Sequence, residues 1–329
     1  MANAVKSVQN GNDQLPKVSV IVPYRDNVNE VEQLVDHLTK QTYPSEKTEI
    51  ILINNGLDNN VKLSAFTSEK IILLDERNYS NSPYSARNRG VEAATGEILV
   101  FIDANSYPAE SWLEKGIEFL ESEMVDIAAG AVQFDYGEKV TAAKITDALT
   151  SIRVKEAVSK RNVAYTANLF VRKEVFNKTG LFEEGVRSGG DVRWAGNAVN
   201  SGFKIGYAED AVVYKFARGA RELYRKKIRT GRGYFFSWKE EENSTIWFYN
   251  FFRSLKPPSF SAITKINEAR YQSEFDSKKL GIWFHLYATG VIEQIAFMVQ
   301  YLSYVLGSQR DIDRREKMKQ EHGEKKATE

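Results

Sequence analysis

The sequence predicts a doubly wound α/β domain on a mostly parallel sheet, followed by a helical C-terminal extension. Three observations carry this reading. From Lys17 onward, short β-branched runs alternate with helix-patterned stretches, the rhythm of βαβ units. The strand runs are nearly all apolar, as a sheet covered by helices on both faces requires. From about Phe216 the chain turns basic and aromatic and then helical, which closes the main domain.

Residues 18–22 make the first strand, 49–53 the second, 70–74 the third and 97–102 the fourth. Between them, 28–41 sets Val31, Leu34, Val35 and Leu38 on one stripe and stops before Pro44, while 84–94 ends at Thr95-Gly96, a helix-stop signal. A fifth strand follows at 127–134, a single helix at 140–159, a strand at 163–171 and a helix at 173–178 that Gly180 breaks. The glycines at 185, 189, 190, 196 and 202 predict a tight turn, a short helix and another turn, and a strand over 204–214 ends the domain. The chain thus divides into a disordered polar tail (1–16), the α/β domain (17–215), a basic and aromatic segment (216–239), a helical region (240–309) with an amphipathic helix at 280–307, and a charged tail (310–329). In such sheets ligands bind beyond the carboxyl ends of the strands, so the informative residues should follow positions 22, 53, 74 and 102.

Composition narrows the function. An apolar fraction of 42% and a charged fraction of 27% in 329 residues exclude both a disordered chain and a multi-span membrane protein. The absence of cysteine removes disulfides, thiolate metal sites and cysteine nucleophiles, and fits a reducing cytoplasm. The first fifteen residues lack the apolar core of a secretory signal. His37, His285 and His322 form no ligand-like cluster, and no nucleic-acid partner is expected; the net charge of +1 by itself says nothing about partners. The first strand runs into Pro23-Tyr24-Arg25 where a dinucleotide-binding oxidoreductase has Gly-x-Gly-x-x-Gly, which excludes that class; the glycine-rich loop of sugar nucleotidyltransferases is missing too.

Two segments carry chemistry. The fourth strand runs into Asp103-Ala104-Asn105, two polar side chains one residue apart. This is either a capped turn or a site for a divalent cation and the diphosphate it neutralises. Ser188-Gly189-Gly190-Asp191 opens a helix, so Asp191 is either its N-cap or a carboxylate approached closely across glycines that have no Cβ.

The order and spacing of Val18-Ser-Val-Ile-Val-Pro23-Tyr24-Arg25-Asp26-Asn27, Ile51-Leu-Ile-Asn54-Asn55-Gly56, Ser85-Ala-Arg87-Asn88-Arg89-Gly90 and Gly96-Glu-Ile-Leu-Val-Phe-Ile-Asp103-Ala104-Asn105 resemble the family 2 inverting glycosyltransferases of the GT-A fold. The resemblance covers roughly residues 17–233 and implies a nucleotide-sugar donor as substrate. It places Pro23, Tyr24, Arg25 and Asp26 at the base and ribose, with Asn54 and Asn55 hydrogen-bonding the base. It sets Arg87 on the diphosphate, Asp103, Ala104 and Asn105 at the metal-binding strand end, and Asp191 as general base. It also implies a glycan or lipid-linked acceptor in polysaccharide biosynthesis. The chain departs from the family in four places. Asn54-Asn55 stands where the second loop commonly has an acidic residue, which leaves uracil, guanine and thymine all open. Gly190 stands where a Glu usually precedes the base. Asn105, a weaker ligand, replaces the usual Asp. Lys215 stands in place of a histidine that serves the metal or diphosphate. Mn or Mg at Asp103 and Asn105 is therefore one expectation; a metal-independent site, with Lys215 supplying the positive charge, is the other.

Beyond the domain, 216–233 holds seven basic residues and one acid, a pattern that attracts phosphate, and the resemblance makes Arg229 and Arg232 the candidates that close over the donor. Tyr234, Phe235, Phe236 and Trp238 follow, suited to stacking on sugars or to core packing. In helix 280–307, His285, Thr289, Glu293, Gln300 and Ser303 leave a narrow polar stripe on a broad apolar face. Such a helix lies in a membrane interface, packs on a sister subunit in a homo-oligomer, or covers the catalytic domain, in that order of expectation; Glu293 disfavours a span. The location expected is cytoplasmic, peripheral on the inner face of the membrane. The rival reading is a noncatalytic nucleotide-sugar-binding scaffold.

Overall fold

The computed structural model describes residues 14–25, 27–56, 70–79, 82–238, 256–259 and 272–305. Asp26, the tail before residue 14 and the tail after residue 305 lie outside these, as do the side chains of Tyr234, Phe235, Phe236 and Trp238. The strands are β1 (Val18–Tyr24), β2 (Thr48–Asn54), β3 (Ile71–Asp75), β4 (Ile98–Ile102), β5 (Ser106–Pro108), β6 (Ile127–Asp135), β7 (Asn168–Arg172) and β8 (Ile205–Phe216). The helices are α1 (Val28–Thr39), α2 (Pro83–Ala93), α3 (Trp112–Ser122), α4 (Ala142–Thr150), α5 (Val154–Arg161), α6 (Lys173–Thr179), α7 (Gly190–Asn200), α8 (Ala220–Trp238), α9 (Gln272–Ser277) and α10 (Lys279–Val305).

All the described strands join one sheet in the order β3-β2-β1-β4-β7-β6-β8-β5. β1 to β4 are mutually parallel, as their unbroken apolar sequences require, whereas β7 runs antiparallel to both β4 and β6, and β5 antiparallel to β8. The sheet is mixed in its second half. The α1 stripe of Val31, Leu34, Val35 and Leu38 packs with Trp112, Leu113 and Ile117 of α3 on one face. The other face carries α2, α5, α6 and α7, where Phe176, Phe182 and Trp194 cluster over Phe101. Each fully buried large side chain contributes about 1.5–3 kcal/mol, so these two layers hold the strand ends rigid beneath the site.

Three sequence expectations are corrected. The single helix at 140–159 is two, α4 and α5, parted at 151–153. Thr146 and Thr150 hydroxyls donate back to Ala142 and Thr146 carbonyls, and the Ser151 hydroxyl donates to Asp147, so the end of α4 is drawn off its ladder. The strand at 163–171 is confined to Asn168–Arg172, because Thr166 spends its backbone N–H on the Asp191 carboxylate, not on a neighbouring strand. Asp191 is not the N-cap of α7. Gly189 is, with φ of 81°, a left-handed conformation that suits glycine.

Helix α10 packs back on the rest of the chain through α8 and α4, the placement the sequence ranked last. Its polar stripe faces inward: His285 pairs with the Tyr224 hydroxyl at 2.6 Å, and Glu293 accepts from Lys227 at 3.2 Å and Thr230 at 2.7 Å. Leu280, Phe284, Ile295, Val299 and Leu302 face outward, between 46% and 70% exposed. Residues 279–304 are long and apolar enough to cross a membrane by length and composition. α8 meets α10 closely at Gly231, where an added Cβ would overlap the Glu293 carbonyl. Backbone cannot swing aside like a side-chain tip. Gly231→Ala is therefore expected to destabilise the protein by about 1–3 kcal/mol, read as a lowered urea midpoint; an unchanged midpoint would show that this packing contributes nothing.

Candidate active site

The ends of β1 and β2 are brought side by side by a register that sets Tyr24 opposite Asn54, and the Asn55 N–H donates to the Tyr24 carbonyl at 2.8 Å. Beyond them opens a cleft of about 370 Å³, whose walls include Pro23, Tyr24, Arg25, Asn55, Arg87, Asp103, Ala104, Asn105 and Arg229. Asn54 does not line it, because its side-chain oxygen turns to accept the Gly56 N–H at 2.9 Å. Asn55 differs. Its buried Oδ1 has no hydrogen-bond partner among the described residues, so it is placed to accept from a ligand.

Asp103, at the end of β4, accepts from the Arg87 guanidinium on Oδ1 at 2.8 Å and from the Lys215 ammonium on Oδ2 at 2.6 Å. Lys215 arrives there because β5 pairs with β8 in a register that puts Ser106 opposite it, only three residues past Asp103. Both cations are 3% exposed. Burial alone would raise the Asp103 carboxyl; Lys215 and then Arg87 outweigh it and hold the group at about 2.

A second cavity of about 660 Å³ is lined by Arg87, Asp103 and Lys215 and also by Asp191. The Asp191 carboxylate is buried and fixed from both sides. Oδ1 accepts from the Tyr84 hydroxyl at 2.8 Å and the Val192 N–H at 2.9 Å; Oδ2 accepts from the Thr166 N–H at 3.0 Å and, at a longer 3.3 Å, from the Thr166 hydroxyl. Burial raises the Tyr84 phenol well above its ordinary range, and the neighbouring Asp191 charge adds to this, so it stays a donor.

Of the basic segment, Arg229 enters both cavities and donates to the Arg187 carbonyl at 3.4 Å. Its guanidinium is lowered by burial and by Arg218 and Arg187 beside it, a crowding of positive charge that favours a bound anion. Arg232 is exposed and lines neither cavity, against the sequence expectation, since it falls on the outer side of α8. Lys226 does line the second cavity. It donates to Asp147 at 3.2 Å and pairs with Ser151, and burial with Arg218 nearby lowers its ammonium to about 8. Tyr84, Thr166, Arg187 and Lys226 were not singled out by the sequence; the one local signal was the spacing of Tyr84 and Arg187, three and four residues before Arg87 and Asp191.

The residues do not fit a divalent cation. No group of three His, Cys, Asp or Glu side chains gathers among the described residues, and both oxygens of Asp103 already accept from cations, with a neutral and exposed Asn105 beside it.

Glycosyl transferase family 2 matches residues 19–180, the segment that carries β1 to β7 and both Arg87 and Asp103. Glycosyltransferase AglE of Haloferax volcanii is 37% identical over 230 residues, which is 68% of this chain and 75% of AglE. The chain belongs to glycosyl transferase family 2. The uncharacterized glycosyltransferase EpsJ of Bacillus subtilis is 27% identical over 191 residues, 53% of each chain. Among solved structures, the mannosyltransferase PcManGT of Pyrobaculum calidifontis, in complex with GDP-Man and Mn2+, aligns over 89% of this chain and 88% of its own with a TM-score of 0.59 at 18% identity. S. aureus TarS 1–349 in complex with UDP aligns over 88% and 92% with a TM-score of 0.50 at 16% identity. At these identities the likeness establishes the fold, GT-A, as the sequence predicted.

Proposed function

We propose that this family 2 member transfers a sugar with inversion, from a nucleotide-sugar donor to a hydroxyl of a glycan or lipid-linked saccharide, with Asp191 as general base. One observation carries the reading: Asp191 and the Asp103, Arg87 and Lys215 cluster line a single cavity. The nucleotide lies in the smaller cleft, its base hydrogen-bonded by Asn55. The acceptor oxygen attacks the anomeric carbon while its proton passes to Asp191 Oδ2, displacing the long bond from the Thr166 hydroxyl. The bond from that carbon to the diphosphate breaks, its electron pair stays on the phosphate oxygen, and Arg87, Lys215, Arg187 and Arg229 stabilise the charge. Of the candidates that Asp103 already neutralises, Lys215 supplies the cation where a metal would otherwise sit.

Transfer is therefore expected without added metal. Nucleoside diphosphate release from UDP-glucose, UDP-N-acetylglucosamine or GDP-mannose should persist in excess EDTA, whereas strict dependence on Mn2+ or Mg2+ would refute the metal-free reading. Helix α10, with polar residues turned inward and apolar ones outward, supports attachment to the inner face of a membrane, where a lipid-linked acceptor is presented.

A further inference from the structure

The segment that leads to Asp191 is tied to α2 and its N-cap at several points. The Asn88 side chain donates to the Phe182 carbonyl and accepts the Phe182 N–H, at 2.9 and 3.0 Å. Ser85 Oγ accepts the Gly185 N–H at 2.9 Å, and Ser82 Oγ, which also caps α2, donates to the Val186 carbonyl at 2.8 Å. The last rung is Tyr84, whose hydroxyl donates to Asp191 Oδ1 at 2.8 Å from a site that is 5% exposed. One turn further along α2, the Arg87 guanidinium sits 5.5 Å from the Tyr84 ring centre and reaches Asp103. A single helical turn thus touches both carboxylates of the cavity. Gly190 makes room for it: a Cβ there would stand 2.9 to 3.1 Å from Tyr84 ring atoms, so the ring would have to shift.

We infer that Tyr84 is the positioning residue for the general base, which rests on the reading of Asp191 given above. Its phenol pins Oδ1, so that Oδ2, held more loosely by the Thr166 hydroxyl, is the oxygen offered to the acceptor. Directly before Asp191, the Tyr84 ring packs on Gly190. The same ring lies against the arginine at the diphosphate, so base and leaving group are set from one rigid element.

Tyr84→Phe keeps the ring and removes only the hydroxyl. With whichever of UDP-glucose, UDP-N-acetylglucosamine and GDP-mannose the parent turns over fastest, and water as acceptor, kcat should fall about 10- to 100-fold, the loss of one hydrogen bond to a charged group. KM for the donor and Kd for UDP or GDP should stay within about twofold. Gly190→Ala, which displaces the ring without removing a polar group, should lower kcat in the same way, and the double variant should be little worse than either single one. A kcat for Tyr84→Phe within about threefold of the parent, or equal losses in kcat and nucleotide affinity, would overturn the proposal. Asp191→Asn run alongside separates the two readings: full activity there sinks the base itself, whereas an inactive Asp191→Asn beside an unimpaired Tyr84→Phe sinks only the role of Tyr84.

Discussion

Asp191→Asn is expected to lower turnover by about 10²- to 10⁴-fold, the range a positioned general base supplies, while nucleoside diphosphate affinity stays within about twofold. The second half follows from geometry: the smaller, nucleotide-sized cleft does not include Asp191, so the substitution leaves its walls intact. The first half follows because an amide takes no proton from an attacking hydroxyl at neutral pH. Some stability is also lost. An amide nitrogen cannot accept, so the donors that now converge on one carboxylate oxygen, either Tyr84 and Val192 or Thr166, lose their acceptor at a cost of about 1–3 kcal/mol. A melting curve therefore accompanies the assay, and activity is compared well below the lower midpoint. Undiminished sugar transfer by Asp191→Asn would remove it from the chemistry. Tight nucleotide binding with no turnover even in the parent, across donors and acceptors, would instead favour the noncatalytic scaffold.

What the sequence disclosed, and what it withheld, divides along the sheet. β1, β2 and β4 were legible because parallel strands buried on both faces must be apolar, and Val20, Ile51, Leu99 and their neighbours are; β3, at the sheet edge and only partly buried, was marked by its run of Ile and Leu. The half made of β7, β6, β8 and β5 was less so. β5 is three residues long and has no pattern to read, yet its pairing with β8 helps bring Lys215 to Asp103, a partner 112 positions away. Residues 163–167 have the composition of a strand, but Tyr165, Thr166 and Ala167 form a wall of the cavity, since the Thr166 N–H is captured by a carboxylate 25 residues on. Asp191 stood out locally, through the glycines that precede it; Tyr84 did not, because its contact with Asp191 spans 107 residues. Arg229 and Arg232 looked equivalent in a run of basic residues. Only the packing of α8 against α10 fixes the rotation that turns one inward and the other to solvent.

Lys215→Met should lower kcat/KM for the donor by about 10²-fold and, unlike any change elsewhere in the cluster, convert a metal-indifferent enzyme into one that Mn2+ stimulates. Methionine preserves most of the buried volume and removes the charge that faces Asp103 Oδ2. Breaking a buried pair leaves an uncompensated partner, here eased because Asp103 keeps Arg87 and reaches the cavity, so the stability cost should be about 3 kcal/mol. The acid limb of stability tests the same contact. Asp103 is depressed in the folded state to about 2, below the roughly 3.9 of a free side chain, so the folded state binds fewer protons than the unfolded chain between those values. Its stabilisation is complete above about pH 4 and is lost as the pH falls through 2. Without Lys215 that depression shrinks, and acid unfolding should begin at a higher pH. With the ammonium gone, Oδ2 becomes open to a divalent cation, which then supplies the charge the diphosphate needs. Equal responses of parent and variant to Mn2+ would mean that Lys215 never substituted for a metal, and that the positive charge at the leaving group comes from Arg87, Arg187 and Arg229 alone.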